Sequence, residues 1–454
     1  MHRRTFLRRS ALTAGSLAAA PYLLPTGRAF AKTGHRRVDH VVVLLMAGGV
    51  RQQESVSQRY LADSQGLDIE GNVMPNLLAG AAPDDKVVYG TTASGSVPIP
   101  ALLGTPLERQ GLFLPEMRFS GAATGHYVGL AAALSGHYGA TQGLRQRPLH
   151  PTVFEYLRRH GGAAATDAWF VGNTLTGSVP LLNHSGHPAY GARYGANMIV
   201  PEVTFGRQGL DHVRGARVFH PDEELPAVEQ MRQFLNLRFG GPDALDADGA
   251  DGPLAALGNT PAEKVAIKAF LRETYERLDR GLVPMPPVAD NGDLVAVGFA
   301  LEVMRYFAPA LTVVNMSAVD TCHNDFTGYL KSLHRADHAA GFLWSYLQNQ
   351  LPAMAGNTAL LIVPEHGRNL EPNGIADVND WVAFDHDSDA NSRRLFGMLV
   401  APGVDAGLRL GGEDAPVGDS ADVVLTVADL LGIKPEVSAA GLVNPAGRSW
   451  LDRI

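Results

Sequence analysis

The chain of 454 residues has one cysteine, Cys322, so no intramolecular disulfide can form and a disulfide scaffold is excluded. It has no uninterrupted apolar run of the about 18 residues that mark a spanning helix. Its 50 glycines and 29 prolines follow no period, which excludes a collagen-like chain, and no internal repeat is visible. Nor is there an excess of basic charge. Lysine and arginine number 38 against 46 acidic residues, a net charge of −8. Nucleic-acid partners need a basic face to displace counterions, so none is expected. What is present is the composition of a folded protein, 45% hydrophobic and 19% charged. That suffices for a large core, in two or three domains or in one elaborated α/β domain.

The first 31 residues read as an address. Arg3-Arg4-Thr5-Phe6-Leu7 opens the chain, a short apolar stretch runs over 11–24, and Ala29-Phe30-Ala31 forms a small-x-small cleavage site. A basic start, a short apolar middle and such a site make a secretory signal. The paired arginines resemble the twin-arginine signal of proteins exported already folded. The expectations are a twin-arginine export machinery as partner, a periplasmic or secreted location, and a mature chain not integral to the membrane. The alternative is an uncleaved anchor or a basic tail. Removing 1–31 takes away five arginines and no acid, leaving a net charge of −13 over 423 residues.

Residues 41–46 form a continuous apolar run closed by Gly48-Gly49, the pattern of a strand buried on both faces. Similar runs occur at 86–89, 168–171, 310–316, 358–363 and 396–400, and helical patterns at 151–160, 326–350 and 421–431. Strands alternating with helices predict an α/β fold with a mostly parallel central sheet flanked by helices. The stretch 205–300, with an acidic loop at Asp243, Asp246, Asp248 and Asp251 and a helix over 261–279, reads as an insertion into a single domain spanning 32–454.

In open α/β sheets, ligands gather outside the carboxyl ends of the strands. Three runs end near potential metal ligands. Asp320 and His323 follow the run at 310–316, Glu365 and His366 follow that at 358–363, and Asp385-His386 precedes that at 396–400. Carboxylate and imidazole donors suit a divalent cation, zinc before manganese or calcium. His334 and His338, one helical turn apart, could share a metal, but beside Arg335 and Asp337 they fit an exposed, salt-bridged face better. His184 and His187 read as loop surface or as the lining of a substrate loop.

This arrangement resembles the alkaline phosphatase superfamily, in particular its exported sulfatase-like branch. In chain order, 38–49 is similar to the family's first strand, and Ala133-Leu134-Ser135-Gly136-His137-Tyr138 to its Leu-Leu-Thr-Gly-x-Tyr segment. Residues 151–161 and Trp169-Phe170-Val171-Gly172 look like the next helix and strand. Asp320 to His323 resembles the first ligand segment, Glu365-His366-Gly367 its Asp-His-Gly, and Ala401-Pro402-Gly403-Val404 its Gly-Pro-Gly-Val turn. The resemblance implies a metal-dependent hydrolase of phosphate or related esters, a small anionic substrate, and two cations about 4 Å apart that clamp the transferred group. Carried over by position, Asp320, His323 and His386, with Asp385 beside them, would hold one metal, and Glu365 with His366 the other. A distal-helix acid would be Asp337. The nucleophile falls in 121–129, where Thr124 is the only hydroxyl besides Tyr127, with His126 beside it. A capped helix start at Thr124-Gly125-His126 is the alternative. Arg51 or Arg368 would hold the substrate anion.

The chain also departs from that pattern. Ala47 stands where active members carry a metal-binding aspartate, Glu365 replaces an aspartate, and His323 follows Asp320 one residue early, leaving Asn324 at the expected place. No cysteine or serine lies in a Cys/Ser-x-Pro-x-Arg motif, so a formylglycine sulfatase is not expected. One cation site is therefore expected to be intact and the second damaged. A member that binds a ligand or partner in the periplasm without turnover is the rival reading.

Overall fold

The computed structural model describes residues 35–61, 68–83, 97–138, 147–172, 182–205, 256–286, 288, 292–387 and 389–454. The expected signal at 1–31, the run at 86–89 and the acidic loop at 243–251 lie outside the described residues. The strands are β1 (His40–Met46), β2 (Arg59–Leu61), β3 (Asp68–Glu70), β4 (Leu112–Arg118), β5 (Ala168–Gly172), β6 (Asn197–Ile199), β7 (Leu311–Met316), β8 (Thr358–Pro364), β9 (Arg394–Val400) and β10 (Leu408–Arg409). The longer helices are α1 (His126–Ser135), α2 (Val153–His160), α3 (Pro261–Asp279), α4 (Gly292–Phe307), α5 (Phe326–Gln350), α6 (Asp422–Leu430) and α7 (Lys434–Ala440). None of the helices among the described residues is long and apolar enough to cross a membrane.

Eight strands form one sheet in the order β10-β4-β9-β8-β1-β7-β5-β6. Strand β9 runs antiparallel to both its neighbours, β4 and β8, and every other pairing is parallel. The fold is therefore α/β with a mostly parallel central sheet. Strand β1 lies at its centre. Val42, Leu44 and Met46 enter the core shared with α3, α4 and α5, while Val41, Val43 and Leu45 enter the core shared with α1, α2, α6 and α7. Burial on both faces is why the run shows no alternation.

Two elements are not visible in the sequence pattern. Strand β4 contains Pro115, which cannot donate to a ladder. It is accommodated because the register with β9 shifts between Leu114 and Met117. Helix α4 is buried on almost every side, so it lacks a polar stripe, and Gly298 in its middle approaches Met285 so closely that a Cβ would lie 2.4 Å from the sulfur.

The outer face of α5 corrects an expectation. His334 and His338 are buried, because the segments around 73–77 and 99–103 lie over the helix. The Nδ1 of His334 donates to the Val73 carbonyl at 2.7 Å, and its Nε2 accepts from the Ile99 amide at 2.8 Å. Asp337 accepts from the amides of Asn76 and Leu77, so it anchors this segment. Burial, helped by repulsion from His338 and Arg335, lowers His334 to about 4. A depressed folded value contributes stability above the unfolded value of about 6.5 that is lost as pH falls through 4. Two to three pK units correspond to about 3 kcal/mol. Urea melts at pH 7 and pH 4 are expected to show that loss, reduced in His334→Gln, whose amide oxygen can still accept from Ile99. An unchanged pH dependence in the variant would refute the assignment.

Candidate metal centre

Strands β7, β1 and β8 finish level, with Met46 opposite both Met316 and Pro364. The residues that follow them therefore meet at one end of the sheet. Strand β1 leaves through Gly48 and Gly49, at φ +101 and +80. A Cβ on Gly48 would lie 2.5 Å from the Asp320 nitrogen, and one on Gly49 2.4 Å from His366 Nδ1. Only glycine fits between those groups. From the other side, α1 docks its first turns on the end of β8. Gly129 permits this, since a Cβ there would lie 2.6 Å from the Glu365 carbonyl oxygen. The loop at 384–386 closes the ring, held by the Phe384 amide on the Cys322 carbonyl at 3.1 Å.

Four histidines face one another within this ring. His126 and His386 have ring centroids 4.5 Å apart, His366 and His386 4.2 Å, and His323 and His386 4.9 Å. Each has its Nδ1 against an oxygen acceptor. His126 faces Glu365 Oε1 at 2.6 Å, His323 faces Asp385 Oδ1 at 2.6 Å, His366 faces the Gly367 carbonyl at 2.7 Å, and His386 faces the Thr124 carbonyl. An acceptor on Nδ1 holds a proton there, so a cation would bind at Nε2, displacing any proton that Nε2 carries. The Asp320 carboxylate lies among them, its Oδ1 3.2 Å from His126 Nε2, 3.3 Å from His323 Nε2 and 3.0 Å from Arg368 Nη2.

The donor set fits a divalent cation. His126, His366 and His386 offer ligand atoms all within 4.8 Å of one another, as do His126, Asp320 and His323. Among the described residues Glu365 Oε2 is buried with no hydrogen-bond partner, a negative group that calls for positive charge nearby. Nitrogen and carboxylate donors of this kind suit zinc, though not zinc alone. Cys322 is buried in the core and outside both groups, and burial pushes its thiol up to about 11.

The electrostatics are those of a cation trap. Burial disfavours a charged His126, but Glu365, with Asp320 behind it, outweighs that and lifts the imidazole to about 10. Burial alone would raise Glu365, yet the charges of His126 and His366 bring it down to about 2. Asp320, half-buried, likewise stays well below the carboxylate range through hydrogen bonds from His126 and His323. His386 is lowered to about 3, by burial first and then by repulsion from His366 and His126.

All six residues expected as ligands, Asp320, His323, Glu365, His366, Asp385 and His386, lie in this cluster or against it. The two arginines expected to hold an anion have other roles. Arg51 is fully buried, its Nε 3.0 and 2.9 Å from the carboxylate oxygens of Glu54 and its guanidinium 3.5 Å from the centre of the Phe384 ring. Arg368 is also fully buried and binds the carbonyls of Gly48, Gly49 and Phe384 as well as Asp320. It ties the glycine turn to the 384 loop and orients Asp320. Neither fork faces solvent. Asp337 serves the 76–77 segment, and His184, read as loop surface or substrate lining, is buried with its Nδ1 against the Ser185 carbonyl at 2.8 Å.

Thr124 is buried, and its hydroxyl donates to the His386 carbonyl while its own carbonyl faces His386 Nδ1. The two residues are thus locked together by reciprocal bonds. The sequence reading placed His126 beside a nucleophile and missed its place among the donors. The only available signal was the Gly125-His126-x-x-Gly129 spacing, which puts a small residue one turn along the helix, where close docking needs it.

No family model and no curated protein matches the chain. Among solved structures it is similar to a mutant of the alkaline phosphatase PafA, with 10% identity and a TM-score of 0.43, covering 92% of this chain and 99% of that one. It is similar to the phosphonate monoester hydrolase of Agrobacterium radiobacter, with 14% identity and a TM-score of 0.40, covering 91% and 76%. It is also similar to a protein in the alkaline phosphatase superfamily from Vibrio parahaemolyticus, with 13% identity and a TM-score of 0.41, covering 92% and 74%.

Proposed function

We propose that the chain is a metal-dependent hydrolase of phosphate or related esters, of the alkaline phosphatase kind, exported through a twin-arginine signal at 1–31 to the periplasm or beyond. One observation carries this reading: four imidazoles, each with its Nδ1 against an acceptor, face one another at the end of β7, β1 and β8, two of them with Nε2 against the Asp320 carboxylate. When bound there, a divalent cation such as zinc supplies Lewis acidity toward an ester oxygen. The chain's own part is positional. Arg368 holds Asp320, Glu365 holds the Nδ1 proton of His126, and Asp385 holds that of His323. Thr124 is the proposed nucleophile, and its hydroxyl must first leave the His386 carbonyl by rotating about χ1.

That last requirement favours a second reading, a binding protein without turnover, in which Thr124 serves only to fix His386. Ala47, which offers no ligand atom beside the cluster, points the same way. The test is turnover of phosphate and sulfate esters by the purified mature protein, before and after chelation. The hydrolase reading expects turnover that disappears on chelation and returns when zinc or manganese is restored. Metal-bearing protein that turns over no ester would leave the binding reading.

A further inference from the structure

We infer that a cation in this centre is held on its solvent side by His126, Asp320 and His323, and that Glu365 and Asp385 set the two imidazoles and do not ligate that cation. The inference rests on the metal-centre reading above but not on any catalytic step.

The geometry has a repeated unit. In both His126 and His323, Nδ1 lies 2.6 Å from a carboxylate oxygen, Glu365 Oε1 for one and Asp385 Oδ1 for the other. In both, Nε2 points at the same atom, Asp320 Oδ1, at 3.2 and 3.3 Å. The two nitrogens of an imidazole diverge, so one ring cannot give both to one cation. A separation of 2.6 Å on the Nδ1 side is a charge-assisted hydrogen bond. That leaves the Nε2 side for the cation, the arrangement in which a carboxylate orients a metal-binding histidine.

Burial sets Glu365 apart from the ligands, whereas Asp385, at 41%, is as exposed as they are. The side chains of His126, Asp320 and His323 are 37%, 44% and 29% exposed, whereas Glu365 is 0% exposed. A cation against the first three keeps coordination positions open to a ligand from solvent, as three-ligand reactive sites do. Glu365 lies behind His126, with Oε1 already accepting from the Gly48 amide. It therefore reaches the outer cation only through the imidazole. Two nitrogens and one carboxylate oxygen within 4.8 Å of one another suffice for such a site without any contribution from position 47.

The experiment is a titration of the metal-free mature protein with cobalt(II), read by calorimetry and by the visible spectrum, with thermal melts to show that each variant folds. His126→Gln is expected to remove the outer cation, seen as the loss of its equivalent or as affinity reduced by more than about 100-fold. Glu365→Gln is expected to keep that equivalent and its spectrum while weakening it about 10- to 100-fold, the range for losing an orienting partner. The inference is overturned if His126→Gln binds cobalt with wild-type affinity and spectrum, or if a folded Glu365→Gln loses the cation as completely as His126→Gln. Should Glu365→Gln not fold, Asp385→Asn, on the exposed side, is the equivalent test. It is expected to weaken binding by the same 10- to 100-fold at unchanged stoichiometry, and either no change or full loss overturns the inference. Because binding is read without substrate, a protein that binds cobalt as described and hydrolyses no ester removes the hydrolase reading alone.

Discussion

Gly49→Ala is expected to cost the protein its metal affinity as well as part of its stability. At φ +80 an alanine is forced into the left-handed region, at about 1–2 kcal/mol. The larger effect is local, because the new methyl would lie 2.4 Å from His366 Nδ1 and 2.9 Å from the Gly367 carbonyl oxygen, the two atoms whose hydrogen bond sets that ring. His366 must turn or shift, and displacing a ligand that another group orients is expected to reduce metal affinity about 100-fold or more. Gly403→Ala is the matched control. Its φ is +78 and, among the described residues, nothing lies within 4 Å of the added Cβ, so it bears the same backbone cost without the contact. Urea melts should show both variants destabilised, and zinc titrations should separate them. Equal zinc affinities in the two variants would mean that His366 is not held by the glycine turn.

Thr124 is expected to separate attack from positioning. Its hydroxyl donates to the His386 carbonyl, and its backbone carbonyl fixes His386 Nδ1. Valine keeps the shape and the backbone acceptor but removes the hydroxyl. If Thr124 attacks, Thr124→Val loses turnover by about 1000-fold or more at unchanged metal affinity, the pattern of a group needed only in the bond-making step. Thr124→Ser restores most of it. If the hydroxyl only anchors the 386 loop, Thr124→Val weakens zinc binding and turnover together, and saturating zinc recovers the rate. Unaltered turnover by Thr124→Val at ordinary zinc would remove both roles.

What the sequence made legible follows from what is local. Strands β1 and β8 read correctly because burial on both faces leaves a run with nothing polar in it, and the acids and histidines after β7 and β8 meet at one end of the sheet because parallel pairing brings strand ends together. Strand β4 was hidden by Pro115, whose cost depends on a bulge that only the pairing with β9 reveals. His126 was hidden for a similar reason. It comes from a helix start, and its position depends on Gly129 letting α1 rest on the Glu365 carbonyl. The charges of Arg51 and Arg368 were plain, but their partners were not. Glu54 lies three residues from Arg51, while the carbonyls that Arg368 binds come from two distant segments, the 48–49 turn and the 384 loop. Likewise the face of α5 that carries His334 reads as solvated from the sequence, but the segments around 73–77 and 99–103 cover it.

The most direct test of the metal centre is the metal content of the folded protein, freed of loosely bound ions by gel filtration and measured by mass spectrometry. At least one equivalent of a divalent transition metal per chain is expected, retained by the wild type and lost from His366→Ala. Protein that carries none, and takes up none when zinc, manganese or cobalt is supplied, would contradict the account.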